Sequence, residues 1–244
     1  MKFFLLILLI LTITGPLLLA LSGRVEFNGN YLTANRSASG VAPHPDTTLE
    51  AVIQAYSART FNWRGIFAVH TWIATKEKNA KEYKVYQVIG WRLRHNLSPV
   101  VYESDIPDRF WFNQKPHILL DIRGVAAEKL IPEIKKAAMS YPYPNEYQYW
   151  PGPNSNTFIA YIARSVPALK LTLPSDAVGK DYLPWKQIIN PAASGTGYQF
   201  SMKGLFGITI AVQEGFELNI LGLVYGISPM TRTLKLPGFG DIKW

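Results

Sequence analysis

Pro151-Gly152-Pro153-Asn154-Ser155-Asn156-Thr157-Phe158, leading into Ile159-Ala160-Tyr161-Ile162-Ala163, is the stretch on which the reading of this chain turns. Pro-Gly-Pro makes a rigid turn. It delivers small polar residues to an apolar-periodic segment, which predicts a helix over 156–165 closed by Pro167. Free backbone N–H groups and the positive end of the helix dipole meet at residues 154–156. A serine at such a place has donors beside it that suit an oxyanion. Asn and Ser are also preferred helix N-caps, so a purely structural role accounts for the same residues.

Working outward, residues 65–75 form an apolar, β-branched and aromatic run that predicts a buried strand carrying His70. Residues 83–89 predict a second strand, joined to the first by the charged turn 76–81, so the two read as a hairpin. Thr47-Thr48-Leu49-Glu50 has the form of a capping box, and Leu49, Val52, Ile53 and Tyr56 then predict a short amphipathic helix. Residues 96–116 read as a loop, 117–122 as a strand, and 126–139 as a helix with Pro132 as a kink or a late start. The aromatic, proline-bearing segment 141–150 is not helical. From 169 to 201 prolines and glycines dominate, and order there has to come from packing.

Residues 207–213 and 217–226 read as a β-hairpin around Glu214-Gly215. A second membrane helix there is rejected, because Gln213, Glu214, Glu217 and Asn219 lie in its middle and charge at bilayer depth costs about 2.5–3.5 kcal/mol per residue. Residues 236–240 close the chain in a tight turn. The resulting expectation is an α+β fold, an antiparallel sheet with a few helices, in a single globular domain over 46–244.

The chain has 244 residues, 48% hydrophobic and 17% charged, which is enough to bury a core. Its formal charge of +8 favours anionic surfaces, yet the basic residues are scattered and form no stripe, so no nucleic-acid partner is expected. Residues 3–23 carry no charge. Their length favours a retained, single-pass transmembrane anchor over a cleaved signal peptide, although Gly15-Pro16 and Ala20-Leu21-Ser22 fit the latter. Residues 24–45 read as a linker off the membrane, with the globular part exported to the periplasmic side. There is no cysteine, which excludes disulfides, thiolate metal sites, cysteine nucleophiles and a lipoprotein anchor.

Ser155 with His70 as its base is the candidate catalytic pair, with Gln87 or Tyr83 on the neighbouring strand to orient the imidazole. Asn154, Asn156, Trp72, Gln87 and Trp150 are the candidate substrate contacts. The strip 141–150 offers aromatic faces with polar tips, suited to a sugar or a peptide. His44, His70, His95 and His117 are far apart in sequence and no glycine-rich phosphate cradle is present, so no metal and no cofactor are expected.

Trp63-Arg64-Gly65-Ile66-Phe67-Ala68-Val69-His70-Thr71-Trp72-Ile73, Tyr141-Pro142-Tyr143, the octapeptide 151–158 with Trp150 before it, Gly179-Lys180-Asp181-Tyr182 and Leu236-Pro237-Gly238-Phe239-Gly240 together resemble the bacterial domain-of-unknown-function family 3750. That resemblance implies an envelope protein and no particular activity. More distantly, the order of a histidine strand followed by a nucleophile opening a later helix resembles circularly permuted papain-like (NlpC/P60-type) hydrolases. It implies a permuted papain-like fold, with Ser155 standing where those enzymes carry cysteine. A hydroxyl is a far weaker nucleophile than a thiol at neutral pH. The expected function is therefore a membrane-tethered envelope module whose cleft binds a peptide or glycan without turnover. The alternative is an acyl hydrolase or transferase, acting on envelope peptide or lipid through Ser155 and His70.

Overall fold

The computed structural model describes residues 2–244, and for residues 2–9 and 11 the backbone alone. Its architecture is α+β, with antiparallel sheets and few helices. The first sheet contains β1 (Val52–Arg59), β2 (Val69–Lys76), β3 (Lys84–Val88), β4 (Val100–Ser104) and β5 (His117–Arg123), in the order β4-β3-β2-β1-β5. Two helices, α2 (Gly124–Met139) and α3 (Ser155–Ser165), cover one face. Ile53, Ile73 and Tyr86 meet Ile134, Phe158 and Ile162 there. On the other face Tyr56, Trp72 and Val85 pack with Trp111 and Phe112. Each large apolar side chain withdrawn from water in these layers contributes about 1.5–3 kcal/mol.

Burial on both faces explains the first correction. Residues 49–56, expected as a helix, belong to the central strand β1, which pairs with β2 on one side and β5 on the other. Pairing on both edges outweighs a local capping signal; the Thr47 hydroxyl donates to the His44 carbonyl instead. The 96–116 segment, read as a loop, contains β4. The 24–45 segment is not a free tether. The Asp108 carboxylate accepts from the backbone N–H groups of Val41 and Ala42, and Ala34 is buried in the outer core layer.

The second sheet is a seven-stranded meander: β6 (Ile189–Pro191), β7 (Gly197–Met202), β8 (Phe206–Ala211), β9 (Gly215–Ile220), β10 (Leu223–Ser228), β11 (Thr233–Leu236) and β12 (Gly240–Lys243), in sequential order. The expected hairpin over 207–226 is three strands, because Leu221-Gly222 turns the chain once more. Cross-strand register aligns Tyr198, Ile210, Phe216, Ile227, Leu234 and Ile242 in one row. Phe200, Ile208, Leu218 and Tyr225 form a second row on the same face, and Met202, Phe206, Ile220 and Leu223 a third.

That apolar face looks outward. The buried face carries Gln199, Ser201, Thr209, Glu217, Asn219 and Lys235. Their partners come from the end of α3 and the 180 loop. Lys180 and Lys235 both bind Glu217, and the Asp181 carboxylate accepts from Gln199 and Asn219. Arg164 donates to the Gln199 side chain and to the Lys180 carbonyl. Burial pushes the Glu217 carboxyl up, but Lys180 and Lys235 outweigh it and hold the group ionised. The second sheet is thus held to the rest of the molecule largely by ions and amides rather than by an apolar core.

The N-terminal helix α1 spans Lys2–Leu21. Among the described residues no helix is long and apolar enough to cross a membrane. The expected anchor rests on residues 3–23, of which the side chains at 3–9 and 11 lie outside the described residues. The helix is continuous through Gly15-Pro16. There it docks on the C-terminal turn: a Cβ at Gly15 would overlap the Pro237 carbonyl, so only glycine permits this approach. Thr12 and the Tyr225 hydroxyl hydrogen-bond, and the helix packs against β11 and the 3₁₀ turn Asn62–Ile66, on the outward side of the second sheet.

Candidate functional site

The turn at 151–154 and the head of α3 are fastened by two asparagines. Asn154 caps the helix, its Oδ1 accepting from the N–H groups of Asn156 (2.9 Å) and Thr157 (3.1 Å). Its own N–H donates to Thr157 Oγ1, completing a capping box. Asn154 Nδ2 donates to the carbonyls of Tyr149 and Val178. The amide lies where a Cβ at residue 179 would stand, and Gly179 leaves that space. Asn156 ties the helix to β2: it accepts from Thr71 Oγ1 at 2.9 Å and donates to the carbonyls of Val69 and Val178. Both side-chain amides are therefore engaged with the protein itself.

Ser155 sits between them at the wall of a cleft of about 340 Å³. Trp63 and Arg64 reach it from the 3₁₀ turn Asn62–Ile66, Tyr147, Tyr149 and Trp150 from the aromatic strip, and Leu221 and Leu223 from the second sheet. The Arg64 guanidinium stands 4.8 Å from the Tyr149 ring centroid and 5.4 Å from that of Trp63. The Trp150 indole N–H donates to the Leu221 carbonyl at 2.8 Å, closing the cleft against the β9–β10 turn. Among the described residues no histidine, aspartate or glutamate lines it.

The structure brings Ser155, Asn154, Asn156 and Trp150 to this cleft and carries His70, Trp72 and Gln87 elsewhere. Alternation along β2 is the reason. Val69 and Thr71 face α3, so the residue between them faces the other side of the sheet. There the His70 ring stacks on Trp111 with centroids 3.7 Å apart, and Nε2 lies 3.3 Å from Gln87 Oε1. Trp72 is buried beside it, its indole N–H donating to the Pro107 carbonyl. No hydrogen bond joins His70 to Ser155 among the described residues. Burial pushes the His70 pKa down to about 3, against the smaller opposing effect of Gln87. Such an imidazole is a feeble acceptor for a hydroxyl proton.

Sequence reasoning did not single out Trp63 and Arg64 as cleft residues, although an exposed tryptophan beside a cation at a strand entrance is a usable signal. Leu221 and Leu223 had none, since only the tertiary arrangement brings the second sheet to α3. Among the described residues no three His, Asp or Glu side chains are grouped to hold a metal ion.

No curated protein and no solved structure matches the chain. A family model does: residues 50–182, more than half of the chain, match the family described as protein of unknown function (DUF3750). The match takes in β1 to β5, both helices of the first layer, the turn at 151–154 and Gly179, which is the whole frame that holds Ser155 in place. The chain belongs to the DUF3750 family.

Proposed function

We propose that this is a membrane-tethered cell-envelope protein that uses the cleft at the head of α3 to bind an envelope peptide or glycan without chemical turnover. The observation that carries the reading is the lining of the cleft: tyrosine and tryptophan faces and one guanidinium, with no carboxylate or imidazole beside Ser155. Aromatic faces with polar tips suit sugar rings and peptide side chains alike. A serine hydroxyl without a base is not activated. In this reading α1 anchors the chain and the globular part lies on the periplasmic side. The packing of α3 on β2 supports a permuted papain-like ancestry, with the histidine strand kept and the histidine turned inward.

The test is a titration of the full chain in detergent with a disaccharide-tetrapeptide from peptidoglycan, followed by tryptophan fluorescence. Saturable binding is expected, weakened about tenfold, or 1.4 kcal/mol, by Trp150→Ala or Arg64→Ala. A serine-directed phosphonate should leave the protein unlabelled. Labelling that Ser155→Ala abolishes would instead establish the acyl-transfer alternative.

A further inference from the structure

The second sheet is inside out for a protein surrounded by water. Tyr198 and Ile210 are 69% and 65% exposed, and Phe216 and Ile227 nearly half, whereas Gln199 and Glu217 on the reverse of the same strands are 3% and 1% exposed. A continuous apolar face of this size marks a surface that meets something other than water. α1 does not cover it. Seven strands span roughly 30 Å at the usual spacing, and a helix with its side chains is about 10–12 Å across. The exposures above persist with α1 in place.

We infer that this face rests on a lipid bilayer with anionic headgroups, beside α1 and continuous with it. Three observations select lipid over a second copy of the chain. The apolar helix α1 lies on this same face, through Thr12 against Tyr225 and Gly15 against Pro237. Exposed tryptophans stand at the strand ends: Trp150 at the β9–β10 turn, Trp185 under Lys203 at the β7–β8 turn, and Trp244 bonded to Arg232 at the β10–β11 turn. Indoles there sit as they do at membrane–water boundaries. The charges at the strand ends complement anionic lipid: Lys186 and Arg232 are exposed there, and the exposed carboxylate within residues 183–244, Asp241, pairs in register with Lys235 of the polar face, away from the apolar rows.

The sheet lies on the bilayer and does not cross it. Its strands are at most six residues long, where a spanning strand needs about 9–11. Its edges at β6 and β12 are open, and unpaired edge groups are not tolerated in hydrocarbon. The inference shares with the proposed function the membrane attachment of α1 and Trp150, which stands both at the cleft and at the sheet rim; with Trp185 and Trp244 it holds whatever the cleft binds.

The chain has no cysteine, so single cysteines give unique spin labels. The full chain, reconstituted in equimolar phosphatidylethanolamine–phosphatidylglycerol vesicles, is labelled in turn at Ile10, Ile210, Phe216 and Glu103, all exposed positions. Labels at 210 and 216 are expected to be several-fold more accessible to oxygen, relative to a water-soluble nickel complex, than the label at 103. Labels at 210 and 216 as open to nickel as 103, with the label at 10 in lipid, would overturn the inference and leave the tether standing. All four labels in water would remove both. Strong dipolar coupling between 210 labels of different molecules would assign the face to a second copy and overturn the inference as well.

Discussion

In the first sheet Tyr56, Trp72 and Ile73 fill the buried positions, while in the second Glu217, Lys235 and Thr233 hold them and Tyr198 and Ile210 face out. Both sheets are antiparallel and both alternate. They differ in what the rest of the chain supplies. The first sheet is given apolar partners on both sides, α2 and α3 on one and the Trp111-Phe112 segment on the other. The second is given Arg164, Lys180 and Asp181, and so turns its polar face toward them. Burial of a strand face follows the chemistry of its neighbours as well as its own hydrophobicity.

Three measurements break or sharpen that contrast. The largest effect is expected at the ionic side of the second sheet. Glu217→Ala leaves the Lys180 and Lys235 ammonium groups buried without their shared carboxylate, and should cost about 3–5 kcal/mol in denaturant unfolding in detergent. A loss no larger than that of a surface substitution would mean that the network does not hold the sheet.

The next effect separates the sheets by pH. His70 in the first sheet stays neutral in the fold, while the unfolded chain protonates near 6.5. Its contribution is complete above that value and is lost as pH falls toward about 3. Asp176, against Gly240 of the second sheet, runs the other way: burial holds its pKa up to about 6 in spite of Arg59, so its contribution falls as pH rises from 3.8 to about 6. The difference between wild type and His70→Phe isolates the histidine. It should shift by about 2 kcal/mol between pH 6.5 and about 5. A flat difference would mean that the imidazole is already solvated in the fold.

The smallest effect is expected on the outward face. Ile210→Ser should change stability in detergent by no more than about 0.5 kcal/mol, because that side chain is mostly exposed. A loss of several kcal/mol would show that the face is an interior after all.

Much of this architecture is legible in the chain. The helix head beside Ser155, the hairpin of β2 and β3, β5, α2 and the strand character of 207–226 follow from local periodicity and turn residues, whereas β6, β7, β11 and β12 carry no such signal. The misreadings share a cause. Residues 49–56 carry a helix cap and helical spacing, and pairing with both neighbours made them a strand. Ser155 is legible as the head of its helix, because a cap is a local device. The strand of His70 is legible too, but whether the imidazole meets Ser155 depends on which side of the sheet that strand shows to α3.

By itself, then, the amino-acid order determined α2, α3, β2, β3, β5 and the turn that presents Ser155, since these depend on neighbours a few residues apart, while β1 was made a strand by its pairing on both edges. Only the tertiary structure decided which side of each strand met the interior. That choice turned His70 away from the cleft, brought Leu221 and Leu223 into it, and left an apolar sheet facing out. The physical reason is that alternation creates two faces of equal standing, and only contacts between distant segments, here α3 on β2 and Lys180 on Glu217, distinguish one from the other.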